Sequence, residues 1–353
     1  MQPLIISQTD ISLFKIPFLK PFTFAGNTIR ERSGFYLTLK TADGISAQGE
    51  VAPLEGISHE TVRRAKHDLT EVRSYLMELK VPRQKEELLN MLRQEPHVLN
   101  LCASVRFAVE SAVLMLAARA ADQSLVEFLG GDPADVQTAL LLQGTHQEVI
   151  ADFKRYSGQG VKVFKLKVGD RNIALDVKKI HDIRLLLEQG SYLRLDGNRV
   201  WNLKEACIFA QLAGNQNIDF IEEPVNDLTQ LDAFYQQTRM RVALDETLAV
   251  VRSGIQAPGR CSPPIANQEG VIAYILKPMI LGLMPTLDWI EEARLSNRKA
   301  IISSAFESPV GFKVLANLAA LSRQIAGLGT ERWFKDVKPI VGTDGIIKKE
   351  SLF

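Results

Sequence analysis

From about residue 137 onward, short apolar segments recur at a regular spacing, and each is followed by a stretch with helical periodicity. Successive segments begin roughly 22 to 32 residues apart, the length of one strand and one helix with their loops. This alternation is typical of a parallel sheet, because a helix must carry the chain back before the next strand begins. The seven segments are 138–143, 163–168, 193–198, 220–224, 242–247, 274–279 and 300–306. An eighth near 325–329 would close an α/β fold of the (β/α)8 barrel type.

The first hundred residues follow a different pattern, in which strands precede helices instead of alternating with them. The predicted strands are 4–16, 34–40 and 45–51, and the predicted helices are 59–79 and 84–94. Such an order indicates a small α+β domain. A barrel of roughly 250 residues leaves about a hundred residues for it. The predicted division is an α+β capping domain over 1–100, a (β/α) barrel over 101–332 and a segment over 333–353 that returns to the capping domain.

The composition of the chain argues against nucleic acid and membranes as binding partners. The chain has 42 basic and 41 acidic residues, so no overall field would attract nucleic acid or an anionic membrane. The longest apolar helical stretch, 105–121, contains three charged residues, which argues against a membrane span. Cys102, Cys207 and Cys261 are odd in number and far apart, which predicts reduced thiols and a cytoplasmic location. We therefore expect a soluble protein with a small-molecule substrate, and an oligomer is compatible with the sequence.

Two lysines alternate with apolar residues in the segment Val163-Phe164-Lys165-Leu166-Lys167-Val168. Because side chains on a strand alternate between faces, Lys165 and Lys167 share one face and the apolar residues share the other. In a barrel the apolar face meets the outer helices, and both ammonium groups point inward, where burying a charge is costly without an anionic partner. On an edge strand the same pattern is an ordinary solvated face, so the neighbouring segments must decide.

The next three segments each carry a carboxylate near the end, and these are Asp196, Glu222 and Asp245. The carboxyl ends of the strands form the functional rim of a (β/α)8 barrel. Three carboxylates that converge there repel one another unless a cation lies between them, and oxygen ligands suit Mg²⁺, with Mn²⁺ as an alternative. A single acid at a strand end often only caps the next turn. Three in consecutive units after a lysine pair predict a metal site.

A third lysine, Lys277, interrupts an apolar strand just before Pro278. It lies four strands after the lysine pair, so we expect it roughly across the barrel from Lys167. Removal of a proton beside a carboxylate needs one amine to take the proton, while a metal and another ammonium stabilise the enolate. We therefore predict Lys167 and Lys277 as catalytic residues. The sequence has no glycine-rich nucleotide-binding motif and no histidine cluster at metal-ligand spacing.

Taken in order, these residues resemble the enolase superfamily, and within it the muconate-lactonising-like group with paired lysines. The pattern Lys-x-Lys, Asp-x-Asn, Glu-Glu-Pro, Asp-Glu and Lys-Pro runs here through 165–167, 196–198, 222–224, 245–246 and 277–278. The resemblance covers nearly the whole chain. It implies a modified TIM barrel, a capping domain whose loops help to select the substrate, and a magnesium-dependent reaction through an enolate.

The run 302–308 (Ile-Ser-Ser-Ala-Phe-Glu-Ser) and the run 193–201 resemble those of the group's dehydratases. That resemblance implies a lyase that removes water from a cyclohexadiene carboxylate with a hydroxyl and a succinyl chain. It makes Lys167 the residue that moves the proton and Lys277 the residue that stabilises the dienolate. The predicted substrate-binding or supporting residues are Lys165, Arg194, Asn198, Glu246, Ser303 and Ser304.

Other interpretations remain open at this stage. Two opposed lysines also suit an N-succinylamino-acid racemase or a dipeptide epimerase. Dipeptide epimerases usually carry an Asp-x-Asp near the barrel end, and none occurs between Ile301 and Lys335. A non-catalytic barrel would be expected to lack a metal acid or a lysine, and none is missing. Ser303 and Ser304 could also only pack at the barrel mouth, and Arg194 could serve only as a structural ion-pair partner.

Overall fold

The N-terminal part is an antiparallel sheet covered by helices. The structure is a computed structural model, and it describes residues 2–24, 27–77, 79–170, 172–251 and 268–353. The strands are β1 (Leu4–Phe24), β2 (Asn27–Thr41), β3 (Ser46–Val51) and β4 (Lys80–Val81), and the helices are α1 (Val62–Leu76), α2 (Lys85–Gln94) and α3 (Pro96–Leu99). The sheet order is β3-β2-β1-β4. The predicted α+β arrangement is confirmed, and β1 is longer than predicted because its pairing with β2 resumes after an irregularity between Pro17 and Phe22.

A buried helix connects this part to the barrel. The connecting elements are α4 (Ala103–Ala120), α5 (Leu125–Phe128) and β5 (Val136–Gln137). Inside α4, Arg106 pairs with Glu110 at 3.0 Å. The second carboxylate oxygen of Glu110 accepts hydrogen bonds from the backbone nitrogens of Leu283 and Met284. The charges of Arg106 and Glu110 thus have partners inside the fold. Among the described residues, no helix is long and apolar enough to cross a membrane.

Seven parallel strands form the main sheet. They are β6 (Leu140–Leu142), β7 (Val163–Lys167), β8 (Tyr192–Asp196), β9 (Ile218–Glu222), β10 (Val242–Leu244), β11 (Val271–Leu276) and β12 (Lys299–Ile302). They are neighbours in chain order, from β6 to β12. Each of the seven predicted segments therefore overlaps one of these strands, and the predicted barrel topology is confirmed.

The eighth segment closes the sheet through single bridges. Ala326 forms a parallel bridge with Thr138, and Gly327 forms one with Ser303. These two bridges join the segment to the region just before β6 and to the end of β12, which are the two edges of the seven-stranded sheet. The segment predicted near 325–329 thus lies where an eighth barrel strand belongs, although its regular pairing is very short.

Helices follow the barrel strands and pack outside them. They are α6 (His146–Ser157), α7 (Ile173–Arg184), α8 (Leu203–Ala213), α9 (Leu231–Thr238), α10 (Glu246–Val251), α11 (Pro278–Leu281), α12 (Leu283–Leu295) and α13 (Pro309–Ser322). Capping boxes begin two of them, through Thr145 with Glu148 and through Asn202 with Glu205. In each box two side chains satisfy backbone N–H groups that lack a partner within the helix.

The alternation of side chains along β7 is as predicted. Phe164 is fully buried on the helix side, where its ring lies 4.7 Å from that of Phe153 on α6. On the inner side, a small apolar cluster fills the barrel below the site. Its buried members are Phe220, Ala243, Ala273, Ile275 and Ile301. The predicted functional residues therefore lie above a layer of packed apolar side chains, the barrel floor.

The C-terminal segment contacts both parts of the chain. Phe334 bridges to Phe18 of β1, and their rings stack at 4.9 Å. Further on, β13 (Ile346–Ile347) pairs with β5 at the start of the barrel. The predicted boundaries after residues 100 and 332 stay predictions. Cys102 and Cys207 are free thiols, and Cys261 lies outside the described residues.

Replacement of Phe164 by alanine should lower the free energy of unfolding by about 3 to 5 kcal/mol, because it leaves a cavity between strand and helix. Leu185→Ala is the matched control, since Leu185 is 85% exposed and its loss should cost less than about 0.5 kcal/mol. Urea unfolding followed by circular dichroism measures both. Equal stability of the two variants would contradict the assigned strand parity.

Candidate active site

The predicted functional residues meet at the carboxyl ends of neighbouring strands. Lys167 ends β7 and pairs in register with Asp196 at the end of β8. Asp196 in turn pairs with Glu222 at the end of β9. Asp245 directly follows β10, which ends at Leu244. The parallel order of the strands thus brings the predicted acids to one rim.

Lys165 lies between two of the carboxylates. Its Nζ is 2.9 Å from Asp196 Oδ2 and 2.6 Å from Glu222 Oε2. Burial acts to lower the pKa of the Lys165 ammonium, but the carboxylates of Asp196, Glu222 and Asp245 outweigh burial and raise it well above its usual value. Lys165 therefore remains a fixed positive charge, which suits it to hold carboxylates and not to accept a proton.

Lys277 contributes a second positive charge, next to the third carboxylate. Its ammonium pairs with the carboxylate of Asp245. Burial again acts to lower the pKa of Lys277, and the nearby Asp245 and Glu246 carboxylates raise it overall. Asn198 Nδ2 donates to Glu246 Oε1 at 2.9 Å, which joins the loops after β8 and β10. Lys277 thus stays protonated beside the acids.

These residues border one cavity of about 100 Å³ at the barrel mouth. The capping part contributes Leu54 and Ile57 to its wall. Its lining includes these predicted site residues: Lys165, Lys167, Asp196, Asn198, Lys277, Ser303 and Ser304. Asp245 and Glu246 line an adjacent cavity of about 140 Å³ that shares Lys277. The arrangement combines an apolar wall with opposed lysines and a set of carboxylates.

The carboxylates fit a divalent cation. Burial raises the pKa of Glu222 to about 8, and the carboxylates of Asp196 and Asp245 add to that effect while Lys165 opposes it. Two buried polar atoms nearby, Asn198 Oδ1 and Glu246 Oε2, have no hydrogen-bond partner among the described residues. Within those same ranges, no group of three or more histidine, cysteine, aspartate or glutamate side chains already has metal-ligand spacing. The candidate ligands are nevertheless all oxygens, as Mg²⁺ prefers.

Arg194 is buried in the barrel and forms an ion pair there. It is 4% exposed, and its Nε donates to Asp219 Oδ2 at 3.3 Å while its guanidinium lies over the ring of Phe220. Lys299 Nζ contacts the other oxygen of Asp219 at 2.7 Å. Of the two interpretations of Arg194, these contacts support the ion-pair partner.

Sequence reasoning missed Glu223, which a Glu-Glu-Pro run does not distinguish from its neighbour. Glu223 is fully buried and its Oε1 accepts from the backbone nitrogens of Asp245 (2.8 Å) and Thr247 (2.9 Å). Its Oε2 accepts from Arg199 Nε at 2.8 Å. The backbone φ is positive at Glu223 (44°), Asn198 (43°) and Arg199 (58°). Such conformations persist in non-glycine residues where surrounding contacts hold them, often at functional sites.

Comparison with known proteins agrees with this fold. A family model described as "Enolase C-terminal domain-like" matches residues 148–256, and one described as "MenC, N-terminal domain" matches residues 6–114. Among solved structures, a mandelate racemase/muconate lactonizing protein from Herpetosiphon aurantiacus aligns with a TM-score of 0.83 and 22% identity, covering 99% of this chain and 96% of that one. A dipeptide epimerase from Cytophaga hutchinsonii complexed with Mg and dipeptide D-Ala-L-Val aligns at 0.80 and 22%, covering 98% and 93%.

Curated relatives are similar over most of the chain. The o-succinylbenzoate synthase of Aliivibrio fischeri (strain MJ11) is 30% identical over 329 residues, which are 91% of this chain and 90% of that protein. Protein PHYLLO, chloroplastic, of Arabidopsis thaliana is 29% identical over 340 residues, which are 86% of this chain and 20% of that longer protein.

The barrel, its capping sheet and the ordered lysines and acids define an enzyme of the enolase superfamily. The similarity along most of the chain goes further, because it includes the N-terminal capping region as well as the barrel. The chain belongs to the o-succinylbenzoate synthase family, and it is a lyase.

Arg194→Met should lower the free energy of unfolding by about 3 kcal/mol, because it removes one partner of a buried ion pair and leaves Asp219 with Lys299 alone. Lys15→Met is the control, since the exposed pair of Lys15 with Glu31 should contribute less than about 1 kcal/mol. Thermal unfolding of both variants measures the difference. A large rise in KM with unchanged stability would instead assign Arg194 to substrate binding.

Proposed function

We propose that this enzyme catalyses the magnesium-dependent syn-dehydration of SHCHC, a cyclohexadiene carboxylate with a hydroxyl and a succinyl chain. The product is 2-succinylbenzoate, an intermediate of menaquinone biosynthesis. The observation that carries the proposal is one cavity lined by Lys167, Lys277 and Asp196 in a chain of the o-succinylbenzoate synthase family.

Asp196, Glu222 and Asp245 are the proposed ligands of Mg²⁺. When bound, the ion would supply Lewis-acid stabilisation of the substrate carboxylate as negative charge develops on it. Lys165 supports this set by its contacts with Asp196 and Glu222. Glu223 holds the backbone of Asp245, so the acids are arranged before any ligand arrives.

Lys167 is the proposed base and acid. As a neutral amine it would take the proton from the ring carbon that bears the carboxylate, and the C–H electron pair would move into the enolate. The resulting ammonium would then protonate the hydroxyl as the enolate electrons return and the C–O bond breaks. Water leaves and the ring becomes aromatic. Both proton transfers use one residue, so they occur on one face of the ring.

Lys277 is the proposed electrostatic partner. Its raised pKa keeps it cationic, and it lines the same cavity as Lys167. A cation in this place stabilises the negative charge spread over the dienolate. Leu54 and Ile57 offer an apolar surface for the ring, and Ser303 and Ser304 stand where the succinyl chain is proposed to lie.

A second candidate is racemisation of N-succinylamino acids. Two lysines on one cavity are what a two-base mechanism requires. The dehydratase is favoured over this reaction, because the o-succinylbenzoate synthase of Aliivibrio fischeri is 30% identical over 91% of this chain. Dipeptide epimerisation has less support, since the Asp-x-Asp near the barrel end is absent from 301–335. A binding protein without catalysis would bind Mg²⁺ and leave SHCHC unchanged.

Asp245→Asn should weaken Mg²⁺ binding at least roughly tenfold, because it removes one anionic ligand from the set. Calorimetric titration with Mg²⁺ measures this, and the fall in SHCHC absorbance measures turnover. Asp232→Asn, on the exposed face of α9, is the control and should resemble the wild type. If the wild type neither binds Mg²⁺ nor consumes SHCHC, the proposed function is wrong.

Lys167→Ala should lower kcat by roughly 100-fold to 10,000-fold, the usual contribution of general acid–base catalysis. Mg²⁺ affinity should remain close to that of the wild type. Lys162→Ala is the control, because Lys162 directly precedes β7, away from the carboxyl end of the strand, and pairs with Glu188 at the surface. Wild-type turnover by Lys167→Ala would remove this residue from the mechanism, and exchange of substrate α-protons in D₂O by Lys167→Ala would favour the racemase.

A further inference from the structure

The cavity wall formed by residues 303–306 depends on contacts from outside the barrel strands. This wall follows β12 and lines the cavity together with Leu54 and Ile57 of the capping part. Phe306 within it has a φ of 62°, a left-handed conformation that L-residues rarely adopt. Such a segment needs surrounding groups to hold it in place.

Arg32, on β2 of the capping sheet, holds the wall from one side. It is 3% exposed, and its Nε donates to the carbonyl oxygen of Phe306 at 3.1 Å. Its Nη1 donates to the carbonyl oxygen of Pro53 at 2.7 Å, and its Nη2 donates to that of Ala52. One guanidinium therefore connects the strained residue of the wall to the loop that carries Leu54.

Glu307 holds the wall from the other side. It is 1% exposed, and its Oε2 accepts from Ser304 Oγ at 2.7 Å and from the backbone nitrogen of Ala305 at 2.8 Å. Ser304 Oγ also accepts from the backbone nitrogen of Phe306 (2.9 Å) and from Thr330 Oγ1 (2.8 Å). A serine hydroxyl has one proton and two lone pairs, and all three are used here. The hydroxyl of Ser304 thus belongs to the support of the wall.

A second carboxylate, this one from the capping part, secures the end of the same wall. Glu50, fully buried on β3, accepts from the backbone nitrogen of Ser308 (3.0 Å), from Ser308 Oγ (2.6 Å) and from the backbone nitrogen of Gly311 (2.8 Å). These groups form the N-terminus of α13, where a negative charge is favourable. A Cβ at Gly311 would lie 2.6 Å from Glu50 Oε2, so the approach requires glycine. Arg32 lies between two acids, Glu50 and Glu307, and its charge offsets theirs.

Resting on the dehydratase activity proposed above, we propose that Glu307 and Arg32 are positioning residues that hold the 303–306 wall in its substrate-binding geometry. Neither residue moves a proton or contacts the metal acids. Together they couple the capping loop to the last part of the barrel, so that both of these parts of the cavity lining are held at once. The cavity shape, and with it substrate affinity, then depends on a buried cluster between the two parts of the chain.

The test compares Glu307→Ala and Arg32→Met with Glu307→Gln. Both disruptive variants should raise KM for SHCHC roughly tenfold or more, with Mg²⁺ affinity unchanged, because the wall is displaced and the metal acids are not. Glu307→Gln should stay within about threefold of the wild type, because its amide oxygen can replace Oε2 as acceptor and its NH₂ can take the position of Oε1. Glu31→Ala, beside Arg32 and exposed, is the control.

Two results would overturn the proposal. One is a wild-type KM in Glu307→Ala with only kcat reduced, which is the effect of a smaller folded fraction. The other is equal impairment of the glutamine and alanine variants. Hydrogen–deuterium exchange of a peptide covering 303–307 gives a readout that needs no substrate, and exchange should be roughly tenfold faster in Glu307→Ala. If the wild type fails to consume SHCHC, the proposed function is wrong, whereas unchanged exchange in this variant refutes the positioning role itself.

Discussion

The contact of the Lys165 ammonium with the carboxylates of Asp196 and Glu222 is the interaction on which the site depends. Like charges about 4 Å apart repel by about 4 kcal/mol at an effective dielectric constant of 20, so buried acids on adjacent strands cannot gather without cations. Lys165 provides one such cation, and Lys277 provides another beside Asp245. The strands must pair in this register for these charges to meet, which makes the sheet and the site interdependent.

The remaining parts of the molecule determine the shape of the cavity around these charged residues. The barrel floor of small and apolar residues supports the charged rim from below. Above it, the capping part contributes Leu54 and Ile57, and the end of the barrel contributes the 303–306 wall. The residues proposed for catalysis and the residues that shape the substrate cavity therefore lie on different elements.

Much of the fold and the site followed from local patterns. The seven barrel segments, the inward face of Lys165 and Lys167 and the acids at the strand ends all rest on a side-chain period of two and on spacing. These patterns depend on a few neighbouring residues, so they are visible in the sequence. Asp245 shows the limit of such reasoning, since β10 ends one residue before it and Glu223 from the neighbouring strand holds its backbone nitrogen.

The sequence by itself determined the order of strands and helices, the side-chain parity and the residue types available for chemistry. Only the tertiary structure decided which polar residues are free to act. Leu193 pairs with Ile218 and Arg194 with Phe220, so Asp219 is an extra residue in the ladder, and it meets Arg194 inside the barrel. The hydroxyl of Ser304 is likewise committed to partners 3 and 26 residues away. Register shifts and hydrogen-bond capacity depend on contacts between distant parts of the chain, and a local pattern does not contain them.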